Sequence, residues 1–178
     1  MMKITVSGHP GSGTSTLVKG LMSHFNWKSL NGGDVFRQEA VRRGMELQEF
    51  GELCKSDLDV DRELDRLLKQ QMLEGSAQIV ESRLAGWWAY HLEIPCVRLW
   101  IEVDEKERAR RVVSRENISI EKALEDNKIR SEIDGERFME LYQILPEQRE
   151  PYTTVLDATH LGADEVLTET IKILEGKS

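Results

Sequence analysis

Residues 3–16 read Lys3-Ile4-Thr5-Val6-Ser7-Gly8-His9-Pro10-Gly11-Ser12-Gly13-Thr14-Ser15-Thr16. The run up to Ser7 has the make-up of a buried strand. Thr14 to Phe25 carries Leu17, Val18, Leu21, Met22 and Phe25 at helical spacing. Between them, Gly8, Gly11 and Gly13 let the main chain curl without Cβ clashes. Strand, glycine turn and helix N-terminus form a cradle for an anion, because successive N–H groups point inward and the helix dipole adds partial positive charge. The segment fits the phosphate-binding pattern G-x-x-x-x-G-K-[ST] with one departure, Thr14 in the lysine's place. Much of such a cradle is main chain, so the departure bears on mechanism more than on binding. Ser15 stands where a hydroxyl ligates Mg²⁺, and the absent lysine is the group that meets the β/γ-phosphates.

Composition narrows the setting. A chain of 178 residues predicts one domain, 1–178, with a proper core. No apolar run approaches the ~20 residues that cross a membrane. The chain enters a strand without a basic and then apolar leader, so no signal peptide is expected. Cys54 and Cys96 are too few for a disulfide framework or a zinc cluster, and read as small core residues in a reducing cytoplasm. A net charge of −8 argues against general affinity for nucleic acid or membranes. It makes clustered arginines informative, because an anionic substrate must find local positive charge.

Strand and helix patterns alternate onward from the loop. Trp27 to Leu30 reads as a strand, Asn31-Gly32-Gly33 as a turn, and Asp34 as the cap of a helix to Arg43, ending at Gly44. Helices follow at Glu46 to Lys55 and Leu58 to Leu73, the second stopped by Gly75. Strands at Ala77 to Glu81, Cys96 to Val103 and Thr153 to Asp157 alternate with helices at Glu105 to Arg115, Ile120 to Tyr142 and Ala163 to Leu174. This alternation predicts α/β architecture, a parallel five-stranded sheet covered on both faces in three layers. Ligands gather at the carboxyl ends of the strands in such sheets.

Those ends carry arginines and carboxylates. Asp34 and Arg37 lie one helical turn apart after the second strand, and Glu81-Ser82-Arg83 closes the third. Glu81 there lies near a Mg²⁺ at Ser15, and Arg83 has the planar fork that suits phosphate. Arg108, Arg111 and Arg115 share a helical face, as do Arg130 and Arg137 on the next helix. Stacked like charges repel by a few tenths of a kcal/mol per pair, which a bound polyphosphate would relieve. The competing reading is a solvated face interlaced with Glu121, Glu125, Asp126, Glu132 and Glu136. His9, His24, His91 and His160 are scattered and read as structural or surface residues.

The segments "ITVSGHPGSGTST", "GGDVFRQEAVRRGM", "DVDRELD", "IVESRLAGWW", "LWIEVDEKERARRVVSRE" and "YTTVLDATHL" come in an order that resembles the cytidylate kinases, in their short archaeal-type form. That resemblance implies a P-loop kinase fold with a helical nucleoside monophosphate (NMP) segment at about 34–75 and a lid at about 108–140. It implies Mg²⁺-dependent transfer of the ATP γ-phosphate to CMP or dCMP by a cytoplasmic monomer. Threonine at position 14 is then a trait of the branch. Gly8, His9, Pro10, Gly11, Ser12, Gly13, Thr14, Ser15 and Thr16 would hold the donor, with Arg110 and Arg115 bordering it. Ser15 and Glu81 would serve the metal. Asp34, Arg37, Asp61, Arg83, Gly86 and Asp134 would meet the acceptor, with Trp87-Trp88 beside it or in the core. Arg111, Arg130 and Arg137 would act on the phosphates in transfer. Arg130 or Arg137 would replace the lysine's charge. Ser131 stands where an acid usually follows the first arginine, and Ser82 where glycine is customary. A kinase of AMP or UMP, and a nucleotide binder without catalysis, are the other readings of the same residues.

Overall fold

The computed structural model describes residues 1–176. Five parallel strands, β1 (Ile4–Gly8), β2 (Ser29–Asn31), β3 (Ile79–Glu81), β4 (Val97–Glu102) and β5 (Thr154–Asp157), lie in the order β2-β3-β1-β4-β5. The expected α/β sheet is therefore present, with the loop-bearing strand at its centre. Ile4 and Val6 face one layer and Thr5 and Ser7 the other, as the two-residue period of a strand requires.

Helices α1 (Thr14–Phe25) and α8 (Ala163–Leu174) cover the first face, where Leu17, Val18, Leu21 and Val166 meet Ile4, Val6, Leu99 and Ile101. The opposite face is covered by α5 (Ala85–His91) with parts of α4 (Leu58–Glu74) and α7 (Ile120–Tyr142), through Trp87, Trp88, Leu68, Met72 and Phe138. Each such side chain contributes roughly 1.5–3 kcal/mol on burial. The remaining helices, α2 (Gly32–Arg42), α3 (Leu47–Ser56) and α6 (Glu105–Glu116), stand around the carboxyl edge of the sheet. Phe50, Ala40, Cys54 and Val60 join α2, α3 and α4 in a small core of their own.

Several local expectations are corrected. The cap of α2 is Asn31, whose Oδ1 accepts from the Asp34 N–H at 2.7 Å, and the helix starts at Gly32. The supposed turn is thus the cap and first residues of a helix, and Asp34 lies inside its first turn, where its charge suits the dipole. Trp27 stays out of β2 because its ring stacks on Phe25 at 4.2 Å beyond the left-handed Asn26 that ends α1. Helix α5 was not expected, since a continuous apolar run has no amphipathic period to read. Asp104 caps α6, its side chain accepting from the Glu107 N–H at 2.8 Å.

Candidate active site

The glycine loop after β1 closes on itself: the Ser12 N–H and hydroxyl both donate to the His9 carbonyl, at 3.1 and 2.6 Å. Gly11 and Gly13 both take φ of 84°, a region only glycine enters cheaply, and Gly13 is the N-cap of α1. A cavity of about 790 Å³ opens beside Gly11, Ser12, Gly13 and Thr16, walled by Arg110, Arg111 and Arg115 of α6 and by the chain from Thr159 to Ala163. Arg111 is fastened there. It donates to the carbonyls of Ser12 at 3.2 Å and Ala158 at 2.8 Å, while Glu107 takes its Nε at 3.2 Å. Arg110 and Arg115 are exposed and paired with Glu107 and Glu116. Gly8, His9 and Pro10 form the start of the loop. His9 meets the edge of Trp100 and lies 3.8 Å from Glu147, and burial pushes its imidazole pKa down. Thr14 supplies no charge; its methyl lies over Gly8.

At the other side of the α1 N-terminus, Ser15 Oγ donates to Glu81 Oε1 at 2.9 Å. Hydroxyl and carboxylate are the hard oxygen donors that Mg²⁺ prefers. Among the described residues no group of three or more His, Cys, Asp or Glu gathers for a metal. The pair therefore fits an ion that draws its other ligands from nucleotide phosphates and water.

A second cavity, of about 490 Å³, begins at Ser15 and Glu81. Its charged wall is a chain of ion pairs from distant segments. Arg83 Nε donates to Asp134 Oδ2 at 3.1 Å, Arg137 Nη2 donates to Asp134 Oδ1 at 3.3 Å, and Arg137 Nε lies 3.2 Å from Asp61 Oδ2. The Arg137–Asp61 contact is an ion pair by distance, but neither atom has an aligned hydrogen-bond partner. Arg37 holds Asp34 at 2.6 Å at the mouth. Val35, Leu64, Leu68, Leu84 and Phe138 give an apolar floor. Burial pushes the Asp61 carboxyl pKa up, against the pull of Arg137.

Two expected residues stand elsewhere. Arg130 is exposed, touches neither cavity, and makes no ion pair or hydrogen bond among the described residues. Gly86 is buried under the pocket, its N–H donating to Ser7 Oγ at 3.4 Å, and a Cβ there would run into the Tyr152 ring. Its smallness serves packing against Tyr152. Trp87 and Trp88 are both core residues; Trp87 Nε1 donates to the Leu145 carbonyl at 3.0 Å, and Trp88 packs edge-on against Tyr142.

One residue that the sequence reading passed over, Asp65, also lines this second cavity, as does Ser82. Asp65 lies one helical turn beyond Asp61 in "DVDRELD", so the i, i+4 spacing was there to be read. The Tyr142 hydroxyl donates to Asp65 Oδ2 at 2.5 Å, and burial pushes the Asp65 carboxyl pKa up. Ser82 lines the same wall with a buried hydroxyl that has no partner, and its carbonyl accepts from Ser7 Oγ at 2.7 Å.

Residues 7–130 match the AAA domain family. A cytidylate kinase of Thermococcus kodakarensis is 36% identical over 163 residues, covering 92% of this chain and 82% of its own. That of Archaeoglobus fulgidus is 30% identical over 176 residues, covering 99% and 96%. The shikimate kinase structure from Bacteroides thetaiotaomicron superposes with a TM-score of 0.64 at 12% identity, over 98% of both chains, which shows a shared fold. With loop, sheet order and full-length likeness in agreement, the chain belongs to the cytidylate kinase family, on the P-loop kinase fold.

Proposed function

We infer that the chain transfers the γ-phosphate of ATP to CMP or dCMP, giving ADP and CDP or dCDP. The observation that carries this reading is the division of one helix N-terminus between two cavities. Gly13 and Thr16 border the donor side, and Ser15 borders the acceptor side beside Glu81. Two phosphates held in these cavities face each other across that turn. Family membership supplies the reaction class.

The roles follow from the chemistry of each group. The loop from Gly8 to Thr16 holds the donor phosphates through its free N–H groups, and Arg110, Arg111 and Arg115 border the nucleotide. Ser15 and Glu81 would hold Mg²⁺, which would supply charge neutralisation to the donor phosphates. Arg37, Arg83 and Arg137 receive the acceptor phosphate, with Asp34, Asp61 and Asp134 as their partners before it arrives. A nucleoside monophosphate is already anionic at neutral pH, so no strong general base is needed. Alignment, charge neutralisation and exclusion of water suffice.

Closure falls to α7. Between Asn127 and Phe138 it buries no side chain. Ordering costs roughly 1–2 kcal/mol per residue, with little burial in this stretch to offset it. Residues at about 108–140 accordingly form the lid and those at about 34–75 the NMP segment, and closure of α7 carries Arg130 to the phosphates. A coupled assay of ADP release with CMP, dCMP, UMP, AMP and GMP tests the reading. Turnover with CMP and dCMP at least tenfold above the others is expected. A preference for AMP or UMP would overturn the acceptor assignment.

A further inference from the structure

Arg108 of α6, read in the sequence only as one of three arginines on a helical face, has its guanidinium set behind the donor loop. Its Nη1 donates to the Pro10 carbonyl at 3.3 Å and its Nε to the Val103 carbonyl at 3.2 Å. No carboxylate lies within 4.0 Å of it among the described residues, whereas Arg111 one turn on is paired with Glu107. It borders a cleft of about 390 Å³ that His9, Arg83 and Lys128 line together with Glu105, Glu132, Asp134 and Glu147. The loop is seated on this residue as well as bonded to it. A Cβ on Gly11 would lie 2.8 Å from the Arg108 carbonyl oxygen and 3.2 Å from its Cβ.

We propose that Arg108 is a positioning residue that does from behind the loop what the missing lysine does from within it. In a trans peptide the C=O and N–H point to opposite sides. Holding the Pro10 carbonyl outward turns the Gly11 N–H toward the anion. Arg111 likewise holds a carbonyl of the loop, that of Ser12 at 3.2 Å. Each bond to a carbonyl also polarises its peptide and strengthens the opposite N–H as a donor. A half-buried cation without a counter-ion is costly unless an anion arrives. Asp104 and Glu105 act on Arg108 only beyond ion-pair distance, and it does not line the donor cavity, so its charge reaches a polyphosphate there through the Pro10–Gly11 peptide. Burial lowers the Arg108 pKa, as expected of a cation that waits for its partner, without removing its charge.

The proposal rests on the donor-site reading, so its test measures donor binding with no acceptor present. Calorimetric titration with Mg·ADP and with the β,γ-imido analogue of ATP is run on wild type, Arg108→Gln, Arg108→Lys, Thr14→Lys and the double variant Arg108→Gln/Thr14→Lys. Arg108→Gln is expected to weaken both ligands about tenfold or more, the worth of one charged hydrogen bond. Arg108→Lys stays within about threefold of wild type because the charge remains. Thr14→Lys rescues the Gln variant by at least tenfold but improves wild type less than threefold, since the two cations serve one phosphate group. Equal affinities for the Gln and Lys variants, or the same gain from Thr14→Lys in both backgrounds, would overturn it. Melting curves accompany each variant, and Arg108→Met takes the place of a Gln variant that does not fold. If neither neutral variant folds, Arg108 is a structural residue and the proposal fails. Wild type that binds no Mg·ADP would instead refute the donor site itself.

Discussion

The donor loop keeps its shape with main-chain groups, and the acceptor cavity keeps its shape with charged side chains. On the donor side Arg108 and Arg111 of α6 donate to the carbonyls of Pro10, Ser12 and Ala158, although Arg111 also holds Glu107 and the exposed Arg110 and Arg115 pair with Glu107 and Glu116. On the acceptor side Arg37, Arg83 and Arg137 each rest on an aspartate. A carbonyl does not compete with a phosphate for the whole guanidinium, so the donor side stands ready. Aspartates do compete, so acceptor binding is an exchange of anions. A partly exposed pair is worth about 0–1 kcal/mol. A charged hydrogen bond to phosphate is worth about 1.5–3 kcal/mol. On the proposed acceptor reading the exchange favours substrate, and the aspartates would hold the arginines in place until it comes.

This contrast is broken most severely by Gly11→Ala. It combines a left-handed backbone with a carbonyl oxygen 2.8 Å from the new Cβ. A loss of about 2–3 kcal/mol in unfolding free energy is expected, together with loss of measurable ADP binding in calorimetry. Retained ADP affinity would show that the loop need not keep its seat on α6. Next comes Arg137→Ala, which strands Asp61 and leaves Asp134 on Arg83 alone. kcat/KM for CMP should fall by ~10²–10³ while ADP affinity holds within about threefold, so that an equal fall in ADP affinity would erase the distinction between the halves.

Arg130→Ala sharpens it at a smaller scale. If closure of α7 alone brings this side chain to substrate, kcat falls about tenfold with ADP affinity unchanged. Steady-state kinetics beside titration read both. Should kcat for Arg130→Ala and Arg137→Ala both stay within about threefold of wild type, lid arginines carry no share of the transition-state charge.

The smallest effect is on stability. Glu39 is buried in α2 and grips Arg42 and Arg43 at 2.5 and 2.7 Å, which holds its carboxyl near 2 rather than 4.5. A carboxyl lowered on folding stabilises above its ordinary value and loses that contribution as pH falls toward the folded one. Urea unfolding between about pH 6 and about pH 3 should show an acid-sensitive leg that Glu39→Gln flattens. An unchanged leg in the variant would place the acid sensitivity elsewhere.

Legibility in the sequence followed the range of the interactions. The strand–loop–helix unit, the alternation of elements and the arginines at strand ends lie in short windows, where glycine spacing and apolar period speak directly. The Asn31 cap was misplaced by three residues because Asp34 and Asn31 are both good caps, and only the Asp34 N–H chooses between them. Gly86 looked like a ligand contact because a glycine beside a motif has two readings, room for ligand or room for a neighbour. The neighbour, Tyr152, comes from 66 residues away. Arg130 and Arg137 share one helical face by count, yet Arg137 bonds inward and Arg130 stands in solvent. A seven-residue spacing fixes a face and says nothing of what stands opposite.

Local sequence alone determined the anion cradle and the parallel α/β class, because backbone torsions and periodicity are properties of neighbouring residues; the family was legible only as a resemblance of ordered segments along the chain. Tertiary structure decided which guanidinium meets a carbonyl and which a carboxylate. Those choices depend on the separation of groups brought together by the packing of α6 and α7 across the sheet edge, and no window of the chain contains both partners.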